Sequence, residues 1–148
     1  MCLNGYEAHI EYILSLNFYD IMINKESEVV MMTRVLLIDV SYATLLPFKR
    51  KFNKYLRESG KSIKLDVALP GHRFYSGIQY FESKNYDLYL ISHLARTYNK
   101  NIIENAREYG RNVKQLGCDE LTPDEEGFKS LLEIIERSVW KSFWESMN

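Results

Sequence analysis

From residue 34 onward, short apolar stretches alternate with longer stretches in which apolar residues recur at helical spacing. The short stretches predict four strands, at residues 34–39, 62–69, 86–92 and 112–118. The longer stretches predict four helices, at residues 45–59, 75–83, 99–109 and 123–145. Alternation of this kind is typical of a parallel sheet whose strands are joined by right-handed helical crossovers. It therefore predicts an α/β domain.

The strand pattern also predicts how the layers are arranged. The first strand is an almost continuous apolar run, as expected of a central strand covered on both faces. We predict a three-layer α/β/α domain of the flavodoxin-like type, with a four-stranded parallel sheet in the order 2-1-3-4. An amphipathic helix at residues 6–18 and the long last helix are expected to extend this core. The composition changes near residue 31, which predicts a helical appendage at 1–31 and an α/β domain at 32–148.

Local signals predict where the helices begin and end. Thr44 is expected to cap the helix at 45–59, with Pro47 in the first turn, where a missing N–H group costs little. Gly60 follows this helix and is expected to end it. Thr122 and Glu125 have the spacing of a capping box, which predicts the start of the last helix.

The composition is that of an ordinary globular chain, with 46% apolar and 26% charged residues. The net charge of −1 argues against a strongly basic protein that coats nucleic acid. Residues 1–31 carry five acids and one base, whereas residues 32–148 carry fifteen acids and eighteen bases. Nucleic-acid binding is our third functional hypothesis, and it depends on a basic helix face formed by Lys49, Arg50, Lys51, Lys54 and Arg57.

The two cysteines, Cys2 and Cys118, lie far apart in sequence and form no CxxC pair. Unpaired thiols are typical of a reducing compartment, so we expect a cytoplasmic protein. The N-terminal residues lack a basic region and an uninterrupted apolar run, which argues against a signal peptide or a membrane-spanning helix. We therefore expect no membrane partner.

Polar residues follow the predicted strands at the carboxyl edge of the sheet, where ligands bind in open α/β folds. A hypothetical anion or phosphate site combines seven of them: Asp39, Ser41, His72, Arg73, Ser92, His93 and Arg96. Loops at this edge are polar in any such fold, so the structural interpretation of each residue is favoured over the functional one. A Cys118–His93 nucleophile and base pair is a minor catalytic alternative.

Motifs that would indicate catalysis are missing from the sequence. It contains no GxxxxGK[ST], GxGxxG, GxSxG, HExxH or DxDxDG. These absences leave phosphate-cradling glycine loops, hydrolase elbows and the common metal motifs without support. We therefore predict no catalytic residues, no cofactor and no metal ligands.

The last helix continues beyond its predicted core stripe with large apolar residues. These are Trp140, Phe143, Trp144 and Met147. A solvated helix end rarely exposes two tryptophans, so this end is expected to be a contact surface. Either the N-terminal helix packs there or a second subunit does. We favour an additional layer formed by the N-terminal and C-terminal helices, which can also belong to a dimer interface.

Three segments resemble the lactose/cellobiose-type enzyme IIB of the sugar phosphotransferase system. They are RVLLIDVSYATLL, NYDLYLISHLART and NIIENAREYGRNVKQLG. The resemblance covers residues 34–137 and includes the IIB-like domains of certain transcription regulators. That family carries a phosphorylated cysteine after strand one, where this chain has Asp39 in a loop without glycine or cysteine. The resemblance therefore implies a degenerate member used for regulation or assembly.

The segment VLLID followed by a helix, and YDLYLIS at the third strand, resemble response-regulator receiver domains, which are our second choice of family. The position of their phospho-acceptor aspartate is Ser92 here, and only Asp39 remains of the acidic pair. This resemblance implies a pseudo-receiver.

We expect a non-catalytic regulatory module of signalling or transcription control, with a protein partner or a homodimer. The alternative is a small-molecule or phosphate-binding protein, or an enzyme, that uses the carboxyl edge of the sheet.

Overall fold

The structure, a computed structural model, describes residues 32–70, 79–82, 85–118 and 120–147. Its four strands are β1 Thr33–Ile38, β2 Ile63–Ala68, β3 Leu88–Ile91 and β4 Val113–Gln115. All pairings are parallel and the strand order is β2-β1-β3-β4. The predicted sheet and its order are therefore confirmed.

The described ranges contain five helices: α1 Tyr42–Glu58, α2 Gln79–Glu82, α3 His93–Tyr98, α4 Ile102–Glu108 and α5 Glu125–Met147. Helices α1 and α5 cover one face of the sheet, where the rings of Phe52 and Phe128 lie 5.5 Å apart. The other three helices cover the opposite face around Phe81 and Ile102. This arrangement is the predicted three-layer α/β/α fold.

The central strand β1 is covered on both sides. Its Val35, Leu36, Leu37 and Ile38 are at most 2% exposed. Val35 pairs with Leu65 of β2 on one side and with a residue of β3 on the other. The continuous apolar run is thus explained by burial on both faces of the sheet.

Helix α1 begins three residues earlier than predicted. Ser41 is its N-cap residue, and the Ser41 carbonyl accepts the N–H of Leu45 at 2.9 Å. Thr44 lies in the first turn, where its hydroxyl donates to the Ser41 carbonyl at 3.1 Å, so its prediction as the cap was wrong. Because α1 begins at Tyr42, Pro47 lies in the second turn, so its predicted place in the first turn was wrong. Gly60, with φ of 71°, follows the end of the helix as predicted.

The chain turns into helix α3 directly after β3, and this helix was not predicted. The side chain of Ser92 accepts the N–H of Ala95 at 3.0 Å and caps α3. The predicted helix at 99–109 corresponds to the shorter α4. The segment after β3 is therefore two short helices rather than a loop and one helix.

Helix α5 is capped by a different residue from the one predicted. The carboxylate of Asp124 accepts the N–H of Gly127 at 2.7 Å. The capping box of Thr122 and Glu125 was therefore wrong, although the helix begins close to the expected place. Gly127 packs so closely on the carbonyl of Thr122 that a Cβ there would overlap it.

Helix α5 is longer than the sheet that it covers. Its 23 residues span about 34 Å, whereas a six-residue strand spans about 20 Å. Lys61, just before β2, pairs with Glu136 at 2.9 Å, and Asn112, just before β4, donates to the Ser138 carbonyl at 3.3 Å. The residues after Ser138 therefore extend past the amino edge of the sheet. The helix predicted at 6–18 lies outside the described residues.

Candidate functional site

Two polar residues meet at the carboxyl edge, because the neighbouring strands β1 and β3 end in register at Ile38 and Ile91. Asp39 and Ser92 follow these residues directly. The Ser92 hydroxyl donates to Asp39 Oδ1 at 2.7 Å, and the same oxygen accepts the N–H of Val40 at 2.8 Å. The structure thus brings together two of the seven predicted site residues.

Ser92 is the buried member of this pair, and Asp39 is partly exposed. Ser92 is 4% exposed, and its hydroxyl both donates to Asp39 and accepts the N–H of Ala95. A serine nucleophile needs a neighbouring base that can take its proton during attack. Here the hydroxyl proton of Ser92 is held by the carboxylate of Asp39, which also accepts the N–H of Val40 in the loop after β1. The hydroxyl oxygen of Ser92 caps α3. This geometry is that of a structural junction between β1, β3 and α3.

The guanidinium of Arg96 is also used within the fold. Its Nη1 donates to the carbonyl of Ile91 at 3.1 Å and to the carbonyl of Leu116 at 2.9 Å. These carbonyls lie at the ends of β3 and β4, so Arg96 ties two strand ends together. The side chain is partly buried in this position.

The other predicted rim residues do not join this cluster. Ser41 contributes its carbonyl to the start of α1, and its side chain makes no capping hydrogen bond. His93 is the exposed first residue of α3. His72 and Arg73 lie outside the described residues. Within the described part of the chain, no hydrogen bond joins His93 to the exposed Cys118, the pair considered for nucleophilic catalysis.

Asn99 connects to the carboxyl edge, although sequence reasoning did not select it. Its side-chain amide donates to the carbonyl of Pro70, after β2, at 3.2 Å. Asn99 follows α3. Because that helix was not predicted, the position of Asn99 next to the carboxyl edge was not predicted either. The contact holds the exit of β2 against the helical layer.

A separate polar cluster surrounds Asp66 of β2 and was also not predicted. Its carboxylate accepts the hydroxyl of Tyr86 at 3.0 Å, and Lys49 and Arg34 lie 3.3 and 3.7 Å away. Partial burial acts to raise the pKa of Asp66, but the hydrogen bond from Tyr86 and the charge of Lys49 outweigh it and lower the pKa. Burial and the bond to Asp66 raise the pKa of Tyr86. This cluster fastens the edge strand to α1 and to the start of β3.

Metal and membrane sites find no support in the described part of the chain. Nowhere in it do three or more His, Cys, Asp or Glu side chains gather closely enough to hold a metal ion. None of its helices combines the length and the apolar character needed to cross a bilayer.

An open cleft of about 480 Å³ lies between α1 and the start of α5. Tyr55 and Phe128 contribute its aromatic surface, with Lys51 on one wall and Asp124 on the other. Charges of both signs line it, so it presents no convergent set of groups for one anion or cation.

The end of α5 carries the four predicted contact residues in two environments. Trp140 is buried, at 4% exposure, and its ring lies 5.4 Å from Phe143 and 5.6 Å from Trp144. Phe143, Trp144 and Met147 are 39%, 50% and 59% exposed. The exposed apolar surface at this end is therefore formed by the last three of the four.

No protein-family profile matches the chain, and no curated protein matches it. A search of solved structures finds a similar fold in the lactose-specific IIB component domain of the phosphoenolpyruvate:carbohydrate phosphotransferase system from Streptococcus pneumoniae. The two chains are 15% identical, with a TM-score of 0.50 over 69% of this chain and 96% of that one. At this identity the likeness concerns the fold alone. The chain therefore has the flavodoxin-like α/β fold of a phosphotransferase-system IIB domain.

Proposed function

We propose that the chain is a non-catalytic protein-interaction module, used in signalling or transcription control in the cytoplasm. The observation that carries this proposal is the hydrogen-bonded pair of Asp39 and Ser92. The groups that would do chemistry at the carboxyl edge are engaged in holding the fold together.

The place of Asp39 supports the loss of phosphotransfer. By resemblance, it stands where IIB domains carry their phosphorylated cysteine. A phosphocysteine cannot form at Asp39, and the loop from Asp39 to Thr44 has no glycine that would let backbone N–H groups approach a phosphate closely. The second resemblance leads to the same proposal, because the residue at the receiver phospho-acceptor position is the buried Ser92.

The charges at the edge also disfavour an anion. A phosphate beside β1 and β3 would meet the Asp39 carboxylate, while Arg96 already donates to two carbonyls. Binding there would break hydrogen bonds of buried groups, which costs about 1–3 kcal/mol for each group left unsatisfied. We therefore assign the functional surface to the exposed apolar end of α5, and its ligand to a protein.

A thermal-shift series with inorganic phosphate, sugar phosphates and nucleotides tests this proposal against its alternative. We expect no saturable rise in the melting temperature of the full chain. A saturable rise that is lost in His93→Ala would overturn the proposal and favour the anion site. His93 suits this purpose because it is exposed, whereas Arg96→Ala would also remove two structural hydrogen bonds.

A further inference from the structure

The sheet has two outer edges, and the one formed by β2 is the longer. In the order β2-β1-β3-β4, strand β2 pairs with β1 on one side only. The carbonyls of Ser62 and Ala68 accept N–H groups of β1. Successive residues of a strand direct their backbone groups to opposite sides, so the N–H and C=O groups of Ile63, Leu65 and Val67 point away from β1.

A strand edge of this kind is a site where another chain can pair. Its outward row of backbone N–H and C=O groups is a template on which a further strand can add. Strand β2 has six residues, three of them the apolar Ile63, Leu65 and Val67. Strand β4, at the opposite edge, has three residues and carries the exposed Lys114. Short strands and lysines disfavour such pairing, so β2 is the edge that most needs protection.

The side-chain amide of Asn53 occupies the β2 edge at Leu65. Its Oδ1 accepts the N–H of Leu65 at 2.9 Å, and its Nδ2 donates to the carbonyl of Leu65 at 2.9 Å. Two residues that face each other in an antiparallel ladder exchange the same pair of hydrogen bonds. Asn53 therefore binds the backbone of Leu65 as a residue of a neighbouring strand would.

Helix α1 holds Asn53 in this position. The adjacent Phe52 is fully buried in the core, and Asn53 is partly buried beside it. Lys49, one turn earlier on the same side of the helix, lies 3.3 Å from Asp66 of β2. Two side chains of α1 thus bind consecutive residues of β2, which keeps the helix along the edge of the sheet.

We propose that Asn53 closes the β2 edge, so that a second copy of this chain cannot pair with it strand to strand. An incoming strand would have to displace the amide from Leu65 and leave the polar atoms of a partly buried side chain without their partners, which is unfavourable. Contacts with another copy are thereby restricted to the helical surfaces. The closure depends on the fold alone, so it does not rest on the function proposed above.

Asn53→Leu tests the closure, because leucine has a similar size and no polar group. The N–H and C=O of Leu65 then become available, and two copies can join β2 to β2 about a two-fold axis. Sedimentation velocity of the full chain should show about twice the wild-type mass at high concentration and the wild-type mass on dilution. An Asn53→Leu chain that is folded by circular dichroism and keeps the wild-type mass at every concentration would overturn the proposal.

Two further variants separate the opening of the edge from other effects. Arg50→Leu adds the same apolar side chain to the exposed face of α1 and should keep the wild-type mass. Asn53→Asp loses the bond to the Leu65 carbonyl, but its charged carboxylate remains at the edge, where a charge disfavours pairing. It should unfold more easily than wild type at neutral pH without associating. If either variant associates as Asn53→Leu does, added apolar surface or lost stability is the cause, and the proposal is overturned.

Hydrogen exchange of the wild-type chain tests the bond itself, whether or not the variants fold. The N–H of Leu65 should exchange slowly, although it points away from β1. The N–H of Gln115 is the matched control, because Gln115 is exposed and its N–H points away from β3 at the opposite edge. Exchange of the Leu65 N–H as fast as that of Gln115 would contradict the closure.

Discussion

The hydroxyl of Ser92 joins β1, β3 and α3 through one donated and one accepted hydrogen bond. Ser92→Ala leaves the N–H of Ala95 and one lone pair of Asp39 without this partner, in a site that is 4% exposed. We expect the free energy of unfolding to fall by about 1–3 kcal/mol. Urea denaturation measures this loss. With Asp39→Ala in a double-mutant cycle, the coupling should be about 0.5–3 kcal/mol.

Thr97→Ala is the control for this cycle. The Thr97 hydroxyl lies on the same helix and donates to the His93 carbonyl at 3.1 Å, but in an exposed position. Its removal should change stability by less than about 0.5 kcal/mol. Strictly additive effects of Ser92→Ala and Asp39→Ala would mean that the bond between them contributes nothing.

The lowered pKa of Asp66 predicts a pH dependence of stability. A carboxyl whose pKa is lower in the folded state contributes stability above its unfolded pKa and loses it as the pH falls through the folded value. The stability difference between wild type and Asp66→Asn should therefore be constant near neutral pH and shrink below about pH 4. Urea denaturation over a pH series measures it. Tyr86→Phe should weaken this dependence, and a difference that stays constant in acid would contradict the lowered pKa.

The sequence predicts that Asp39 and Ser92 lie at the same edge of the sheet, but it does not predict the hydrogen bond between them. Each follows an apolar strand, and residues at the ends of parallel strands share one edge. Their contact depends on the register of β1 with β3, which no local pattern encodes. The same holds for Arg96, which looks like an anion ligand in the sequence and binds two carbonyls in the structure.

At the level of elements, the close packing at the start of α5 predicts that a glycine-to-alanine substitution there changes stability in the direction opposite to that expected from helix propensity. Glycine to alanine within a helix ordinarily stabilises it by about 1 kcal/mol. Gly127→Ala should instead destabilise the chain by about 1–3 kcal/mol, because its Cβ would overlap the carbonyl of Thr122. Thermal unfolding of the two chains measures this difference.

Gly117→Ala is the matched control for Gly127→Ala. A Cβ at Gly117 would meet Glu120 Oε1 at 3.7 Å, which is an ordinary contact. It should be tolerated with little change in melting temperature. A Gly127→Ala chain as stable as wild type would show that the turn before α5 relaxes easily.

Long elements were predicted better than short ones because their periodic patterns contain more residues. The apolar stripes of α1 and α5 were predicted and are buried, including Phe52, Leu56, Leu131 and Ile135. Helix α3 was missed because its six residues are too few for a clear stripe and only Ala95 among them is buried. The caps were misassigned where several capping residues stand together, as in Thr122 to Asp124.

For the whole molecule, the order of the sheet followed from the alternation of strands and helices, since right-handed crossovers allow few arrangements. The fold is shared with a IIB domain at only 15% identity, so the likeness does not depend on identical residues at most positions. Our proposal adds that the site differs, because Asp39 stands after β1 where, by resemblance, IIB domains carry a cysteine. Fold and function therefore had to be inferred separately.

The central claim, that the carboxyl edge does not accept a phosphoryl group, is tested most directly by native mass spectrometry of the full chain after incubation with acetyl phosphate and Mg²⁺. A phosphorylatable receiver domain in the same mixture is the positive control. We predict a phosphoryl adduct on the control and none on this chain. An adduct on this chain that disappears in Asp39→Asn would contradict the account.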